Sequence, residues 1–173
     1  VNNGSLVNNQ DGTYTFTPEA NYNGKVDLTY LVVDNKGKYA NGANSFNLAP
    51  VNDAPELTGQ QATLADGTED TAYKINESDL LSGFSDSDGD TLSVANLTAN
   101  NGTLVDNQNG TWTFTPDENY NKDLDSNNED VDLNYEVIDS NGGSVAASQS
   151  FKISAVNDSP INNGTVTFPA IDE

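Results

Sequence analysis

Asn101-Gly102-Thr103-Leu104-Val105-Asp106-Asn107-Gln108-Asn109-Gly110-Thr111-Trp112-Thr113-Phe114-Thr115-Pro116 decides how the chain is read, because Asn3-Gly4-Ser5-Leu6-Val7-Asn8-Asn9-Gln10-Asp11-Gly12-Thr13-Tyr14-Thr15-Phe16-Thr17-Pro18 precedes it at an offset of 98 residues. The match continues through Asn21-Tyr22-Asn23 and Asn119-Tyr120-Asn121. From Val26 against Val131 the offset becomes 105 and stays there through Asp34/Asp139, Phe46/Phe151 and Pro55/Pro160, so the second copy carries seven extra residues within Lys122 to Asp130. A shared, gap-free register on both flanks marks an internal repeat, and a period near a hundred residues is the size of one sandwich domain rather than one solenoid turn.

Within the repeat, apolar residues alternate with polar ones. Trp112 and Phe114 fall on one face and their neighbouring threonines on the other. Val131-Asp132-Leu133-Asn134-Tyr135-Glu136-Val137 continues the pattern, as does Val26-Asp27-Leu28-Thr29-Tyr30-Leu31-Val32 in the first copy. Period-two alternation predicts antiparallel strands with one buried face. Leu92-Ser93-Val94 and Phe151-Lys152-Ile153 read as shorter strands. Asp11-Gly12, Asn109-Gly110 and Asn141-Gly142-Gly143 read as turns. Only Asn76 to Leu81 reads as helical, one short turn with Asn76 as its cap. The expected core is Ile75, Leu81, Phe84, Leu92, Val94, Leu104, Trp112, Phe114, Leu133, Tyr135, Val137, Phe151 and Ile153. These features predict an all-β chain of Greek-key β-sandwich repeats in tandem.

The repeat also sets the domain plan. Residues 1–50 are the C-terminal half of a repeat, 51–55 a linker, 56–155 a complete repeat, 156–160 a second linker and 161–173 the start of a third copy. In that start, Thr167-Phe168 resembles Thr63-Leu64 and Glu173 falls near Glu69. The abrupt ends are expected to be those of a piece of something longer. Each linker has the same design, Val51-Asn52-Asp53-Ala54-Pro55 and Val156-Asn157-Asp158-Ser159-Pro160. The prolines fix φ and hold the residue before them extended, and Asn and Asp place oxygen ligands where two domains meet.

Charge narrows the function. The 173 residues hold 27 acidic side chains against six lysines, for a formal net charge of −21. Nucleic acid and anionic membrane surfaces are polyanions and are disfavoured as partners. The patterned Val, Leu, Tyr, Phe and Thr argue against an acidic disordered chain, which leaves a folded chain neutralised by divalent cations. Without Cys or His, disulfides and thiolate or imidazole metal sites are excluded, and the composition is compatible with export. No apolar run approaches ~18 residues, so no membrane insertion is expected.

Oxygen ligands suit calcium. Asp86-Ser87-Asp88-Gly89-Asp90 places three acids in five residues around a glycine, and without a cation they repel one another. Glu69-Asp70, Asp117-Glu118 and Asp139 are acids at predicted strand ends, where most acids are simply solvated. The insertion Asp123 to Asp130 alternates oxygen donors but lacks the glycine of an EF-hand loop.

Taken together, the Val-Asn-Asp-Ala-Pro linker, Glu69-Asp70-Thr71, Asp86-Ser87-Asp88-Gly89-Asp90-Thr91-Leu92, Gly110 to Pro116, and Tyr135-Glu136-Val137-Ile138-Asp139 before Asn141-Gly142-Gly143 resemble the cadherin-like tandem domains of large bacterial surface adhesins of the repeat-in-toxin type, exported by type I secretion. The resemblance covers essentially the whole chain. It implies cadherin/immunoglobulin-like sandwiches, a secreted or cell-surface location and calcium between successive domains. It also implies a ligand set: Asn52 and Asp53 from the linker, Asp88, Asp90 and Asp139 from the following domain with Asp86 in the same loop, and Glu19 from the preceding one. At the next junction the matching groups are Glu69, Asp117 or Glu118, Asn157 and Asp158. Cadherin linkers keep an Asp where this chain has Pro50 or Ala155, and a closing Asn where it has Ala54 or Ser159, which implies fewer ions per junction.

The expected function is that of calcium-rigidified spacer repeats, supporting cell adhesion or biofilm formation, with calcium ions and neighbouring repeats of the same chain as partners. The alternative is a glycan- or peptide-binding module acting near the insertion through Tyr39 and Tyr120. Strand exchange with another copy, residues 161–173 completing the sheet of residues 1–50, is a further possible association. A single threonine row per domain is ordinary for an exposed strand and does not make an ice-binding face. No enzyme is expected, because the acids lie in turns and a single sandwich offers little room for a cleft.

Overall fold

The computed structural model describes residues 1–118, 120, 129–157, 159 and 164. Residues 121–128 of the insertion, Asp158, and all of the start of the third repeat except residue 164 fall outside the described residues. Residues 1–50 form two antiparallel hairpins, β1 (Gly4–Asn8) with β2 (Tyr14–Pro18) and β3 (Gly24–Val33) with β4 (Tyr39–Leu48). There follow β5 (Glu56–Leu57), β6 (Gly67–Thr68), β7 (Tyr73–Asn76), the single helical turn α1 (Glu77–Leu80) and β8 (Phe84–Ser85). The remaining strands are β9 (Ser93–Ala99), β10 (Gly102–Asp106), β11 (Thr111–Pro116), β12 (Glu129–Ile138) and β13 (Ser144–Ser154).

The chain is a β-sandwich. One sheet has the order β10-β11-β7, and a second the order β6-β13-β12-β9, with β6 parallel to β13. β5 pairs with β8 separately. By compactness the chain divides into one unit of Val1–Gln60, Gly83–Ala95 and Glu136–Ala146, and another of Gln61–Ser82, Asn96–Tyr135 and Ala147–Glu173.

In the second unit the alternating pattern becomes the core. Trp112 and Phe114 point inward from β11 and are buried, with the threonines between and beside them more exposed. Val131, Leu133 and Tyr135 do the same on β12. Phe114 meets Phe151 edge-on at 5.5 Å between centroids, and Tyr73 stacks on Phe151 at 4.2 Å. Each fully buried aliphatic or aromatic side chain contributes about 1.5–3 kcal/mol. The Tyr135 hydroxyl donates to the Leu80 carbonyl at 2.9 Å, tying the helical turn to β12.

Several expectations need correction. Leu80, not Leu81, is the buried residue of α1, and Leu81 is only half-buried. One helical turn rotates successive side chains by about 100°, so alternation does not select the inward one. Phe84, Leu92, Val94 and Leu104 are likewise half-buried, whereas Leu64 and Val131 belong to the core. Asn76 is the cap residue of α1, but its side chain donates to Asp79 Oδ2 at 2.8 Å instead of accepting a backbone N–H. The strands read as short, around Leu92–Val94 and Phe151–Ile153, run to seven and eleven residues. The hairpin dipeptides sit in longer loops whose left-handed residues are Gln10 and Gly12, and Gln108 and Gly110.

Candidate metal centre

The candidate centre lies in the first unit and is assembled from three segments. The first is the linker, where Pro55 is fully buried and anchors the chain. The second is the loop after β8. Asp86 Oδ1 accepts the N–H of Asp88 at 2.8 Å and that of Asp90 at 3.3 Å, so the loop winds around one carboxylate. Gly89 turns the chain at φ +79°, a conformation that costs glycine little. The third is the turn between β12 and β13. Asp139 Oδ1 accepts the N–H groups of Asn141 and Gly143, both at 2.8 Å.

Side chains then join the segments. Asn52 Nδ2 donates to Asp139 Oδ2 at 3.0 Å. Asn141 Nδ2 donates to Asp90 Oδ2 at 2.6 Å, and the Asp53 N–H to Asp88 Oδ2 at 2.8 Å. One carboxylate oxygen from each of Asp86, Asp90 and Asp139 lies within 4.8 Å of the others. Asp139 is 6% exposed. The Asn52 N–H holds its carboxyl below the usual carboxylate range against the opposing effect of burial, helped by the N–H groups of Asn141, Gly143 and Gly142.

Three carboxylates at this spacing repel. Among the described residues no lysine bridges the cluster; the ion pair present is Lys25–Asp27 at 2.6 Å. Asp86 Oδ2 is buried and has no hydrogen-bond partner. A buried acceptor without a donor is costly, and a cation would satisfy it. The donor set is all oxygen, which fits a hard cation such as calcium and no soft metal.

The other expected ligands divide. Glu19, Asp53 and Asp88 line one cavity of about 220 Å³ beside Tyr22 and Val51. Glu69 lies in the other unit and is 1% exposed. Its Oε1 accepts the Val156 N–H at 2.5 Å, and its Oε2 is buried without a partner. Asn157 is exposed just beyond. Asp117 and Glu118 occupy an exposed turn, where the Asp117 N–H donates to the Asn101 carbonyl at 3.1 Å and its carbonyl accepts the Tyr120 N–H at 3.0 Å, and neither side chain joins the three-carboxylate cluster. Sequence reading passed over Asn141 and Gly143. A Cβ on Gly143 would collide with Asp139 Oδ2 and lie 2.9 Å from Ala54 Cα, so only glycine lets the linker approach the turn this closely. The Asn141-Gly142-Gly143 turn was visible; the linker lying against it was not.

A β-sandwich with an oxygen-only carboxylate cluster beside its linker is a fold with a candidate site for a hard cation. The sequence profile of the cadherin-like domain matches residues 1–49 and 51–154, and the chain belongs to that family. No curated protein matches the chain. Cadherin-like domains are non-enzymatic adhesion folds, in general bind calcium and neighbouring repeats, and are typically extracellular. No helix among the described residues is long and apolar enough to cross a membrane.

Proposed function

We propose that the chain is a set of calcium-rigidified spacer repeats from a large secreted or surface adhesin, of the kind that supports cell adhesion or biofilm formation. In this reading Asp86, Asp90 and Asp139 hold one calcium ion, with Asn52 orienting Asp139 and Asn141 orienting Asp90. Asp53, Asp88 and Glu19 contribute from the adjoining cavity, and Glu69 with Asn157 and Asp158 serves the following junction. The bound cation supplies charge neutralisation that no lysine among the described residues provides.

The observation that carries the reading is the buried, unpartnered Asp86 Oδ2 within a three-carboxylate cluster. Binding to the folded form alone stabilises it by RT ln(1 + [L]/Kd), about 2.7 kcal/mol at a hundredfold excess over Kd. Calcium titration followed by melting and small-angle scattering tests it. Calcium is expected to raise the Tm and sharpen the distribution of dimensions. If chelator changes neither Tm nor maximum dimension, the proposal fails. The alternative of a glycan or peptide module draws less support, because Tyr120 is half-buried and its hydroxyl is engaged by Asn101 at 2.8 Å and by the Asp130 carbonyl at 3.2 Å.

A further inference from the structure

Asparagine followed by glycine is the dipeptide most open to loss of ammonia, because glycine has no Cβ to shield its backbone nitrogen and turns freely in φ. The structure sorts the Asn-Gly pairs of this chain. In Asn3-Gly4, Asn23-Gly24, Asn41-Gly42 and Asn101-Gly102 the glycine belongs to a strand and faces Pro18, Leu48, Tyr30 and Pro116 across the ladder. The ladder fixes the glycine nitrogen away from the preceding side chain. Asn109-Gly110 sits in a hairpin loop, but the Gly110 carbonyl accepts the Glu77 N–H at 2.9 Å and Asn109 Oδ1 accepts the Thr111 hydroxyl at 2.7 Å. A Cβ on Gly110 would lie 3.2 Å from Glu77 Oε2, so that loop is braced. Asn163, which precedes Gly164, lies outside the described residues.

Asn141-Gly142 is held differently. Both residues are exposed, in the turn between β12 and β13. Gly142 takes φ +103° and has no atom within 4 Å of the place a Cβ would occupy. The anchors of this pair are carboxylates: Asn141 Nδ2 donates to Asp90 Oδ2 at 2.6 Å, and the Asn141 N–H to Asp139 Oδ1 at 2.8 Å. Asp90 and Asp139 belong to the cluster whose like charges repel without a cation. The hold on the turn is therefore as firm as the cluster is neutral.

We propose that Asn141 is a self-modification site, at which the turn loses ammonia and gains a carboxylate, and that the cation slows the change. The Gly142 nitrogen attacks Asn141 Cγ. A C–N bond forms, the Cγ–Nδ2 bond breaks, and ammonia leaves with the proton of the Gly142 nitrogen. Water opens the resulting cyclic imide, returning a hydrogen to that nitrogen and leaving aspartate or isoaspartate. Water is the co-reactant, and nothing is oxidised or reduced. For the ring to close, the amide must leave Asp90, so the reaction runs through a local opening of the turn. A cation on Asp86, Asp90 and Asp139 binds the closed turn and suppresses that opening. The product sets a carboxylate where Asp90 Oδ2 had a donor, which leaves the cluster with one more negative charge. Ammonia loss rests on the turn alone, whereas its control by the cation rests on the calcium reading above.

Peptide mapping by mass spectrometry, with enzymatic methylation of isoaspartate, tests both on the full chain at mildly alkaline pH. The chain is kept in chelator, in calcium or in urea, and Trp112 fluorescence reports whether the core is intact. In urea Asn109 and Asn141 should react at similar rates, since both precede glycine. In the folded, chelated chain Asn141 should outpace Asn109. Equal folded rates, a faster Asn109 or an unmodified Asn141 overturns the site. Calcium at about a hundred times Kd should slow Asn141 about a hundredfold when the opened turn has no affinity for it. If calcium raises the Tm but leaves the Asn141 rate unchanged, control by the cation is overturned and the calcium reading stands. If calcium changes neither, the calcium reading falls together with that control, and the rates in chelator still decide the site.

Discussion

Two stretches of this molecule have nearly the same sequence and the same local geometry, yet opposite burial. In the first hairpin, Asn9 Nδ2 donates to the Thr13 and Thr15 hydroxyls at 2.9 and 3.1 Å; in the second, Asn107 does the same to Thr111 and Thr113 at 3.0 Å each. Gln10 and Gln108 both turn the loop with positive φ, 63° and 57°. Asp34 takes the N–H groups of Lys36 and Lys38 at 2.8 Å, as Asp139 takes those of Asn141 and Gly143. Yet Asp34 is exposed where Asp139 is buried, and Tyr14 is exposed where Trp112 is buried. Local sequence thus dictates hairpins and turns without help. Burial and the carboxylate cluster require the N-terminal half of the repeat, which supplies β7, α1 and the Asp86–Asp90 loop.

The largest test of this comparison is truncation of the paired phenylalanines. Phe114 is fully buried, and Phe114→Ala is expected to cost about 3–5 kcal/mol. Phe16 is half-exposed, and Phe16→Ala should cost about 1 kcal/mol or less. Urea unfolding, followed by far-ultraviolet circular dichroism and by the single tryptophan, Trp112, separates them. Equal losses would mean that the first copy's face is covered in solution.

Next comes the cation. Asparagine at either aspartate keeps an oxygen to hold the turn but removes the charge. With calcium at about a hundred times Kd, Asp139→Asn should abolish a stabilisation of about 2.7 kcal/mol. Asp34→Asn should leave the calcium response intact, because Asp34 is exposed and lies outside the three-carboxylate cluster. A calcium-dependent Tm shift that survives Asp139→Asn would place the ion elsewhere.

These pairs also show what could be read from residues alone. The alternation along Val131, Leu133, Tyr135 and Val137 exposed the inward face of β12, because a strand's side chains have a fixed period of two. The duplicated turns were legible because their chemistry is local. The choice between Leu80 and Leu81 was not, since a single helical turn breaks that period. Nor could residues alone bring Asp86 to Asp139 across more than fifty positions; only the family resemblance drew them together. Asn141 and Gly143 stayed hidden for the same reason. What matters about them is the linker and the Asp90 carboxylate packed against them, and those contacts are tertiary.

A smaller effect separates two glycines. A Cβ on Gly4 would lie 2.5 Å from Phe16 Cζ, and one on Gly102 the same distance from Phe114 Cζ, each also colliding with a cross-strand carbonyl. Phe16 and Phe114 each meet a partner ring edge-on, Phe46 and Phe151, but Phe16 is half-exposed and has room to shift where Phe114 is fully buried. Gly102→Ala should therefore cost about 1–3 kcal/mol from overpacking, and Gly4→Ala less than that. Thermal unfolding of the two variants checks the order; a reversal would show that the backbone collision dominates both.

The smallest contrast is a hydroxyl. Tyr135 donates to the Leu80 carbonyl at 2.9 Å within the core, while Tyr30, its counterpart, is 50% exposed. Tyr135→Phe leaves that carbonyl without its donor and should cost about 1 kcal/mol, against about 0.5 kcal/mol or less for Tyr30→Phe. The pH dependence gives a second reading of the same bond. Burial pushes the Tyr135 hydroxyl above its ordinary value of 10.0, with the Gln61 amide opposing weakly. A folded-state pKa raised in this way means that the neutral phenol stabilises the fold fully below the unfolded value. That contribution fades as the pH climbs through the folded one. The stability difference between the wild-type chain and Tyr135→Phe should therefore be flat at neutral pH and narrow on the alkaline side. Chemical denaturation across that range decides it. A difference that stays constant past the phenol's ordinary titration range would mean the hydroxyl is solvated, and that the helical turn does not close over β12 as its hydrogen bond requires.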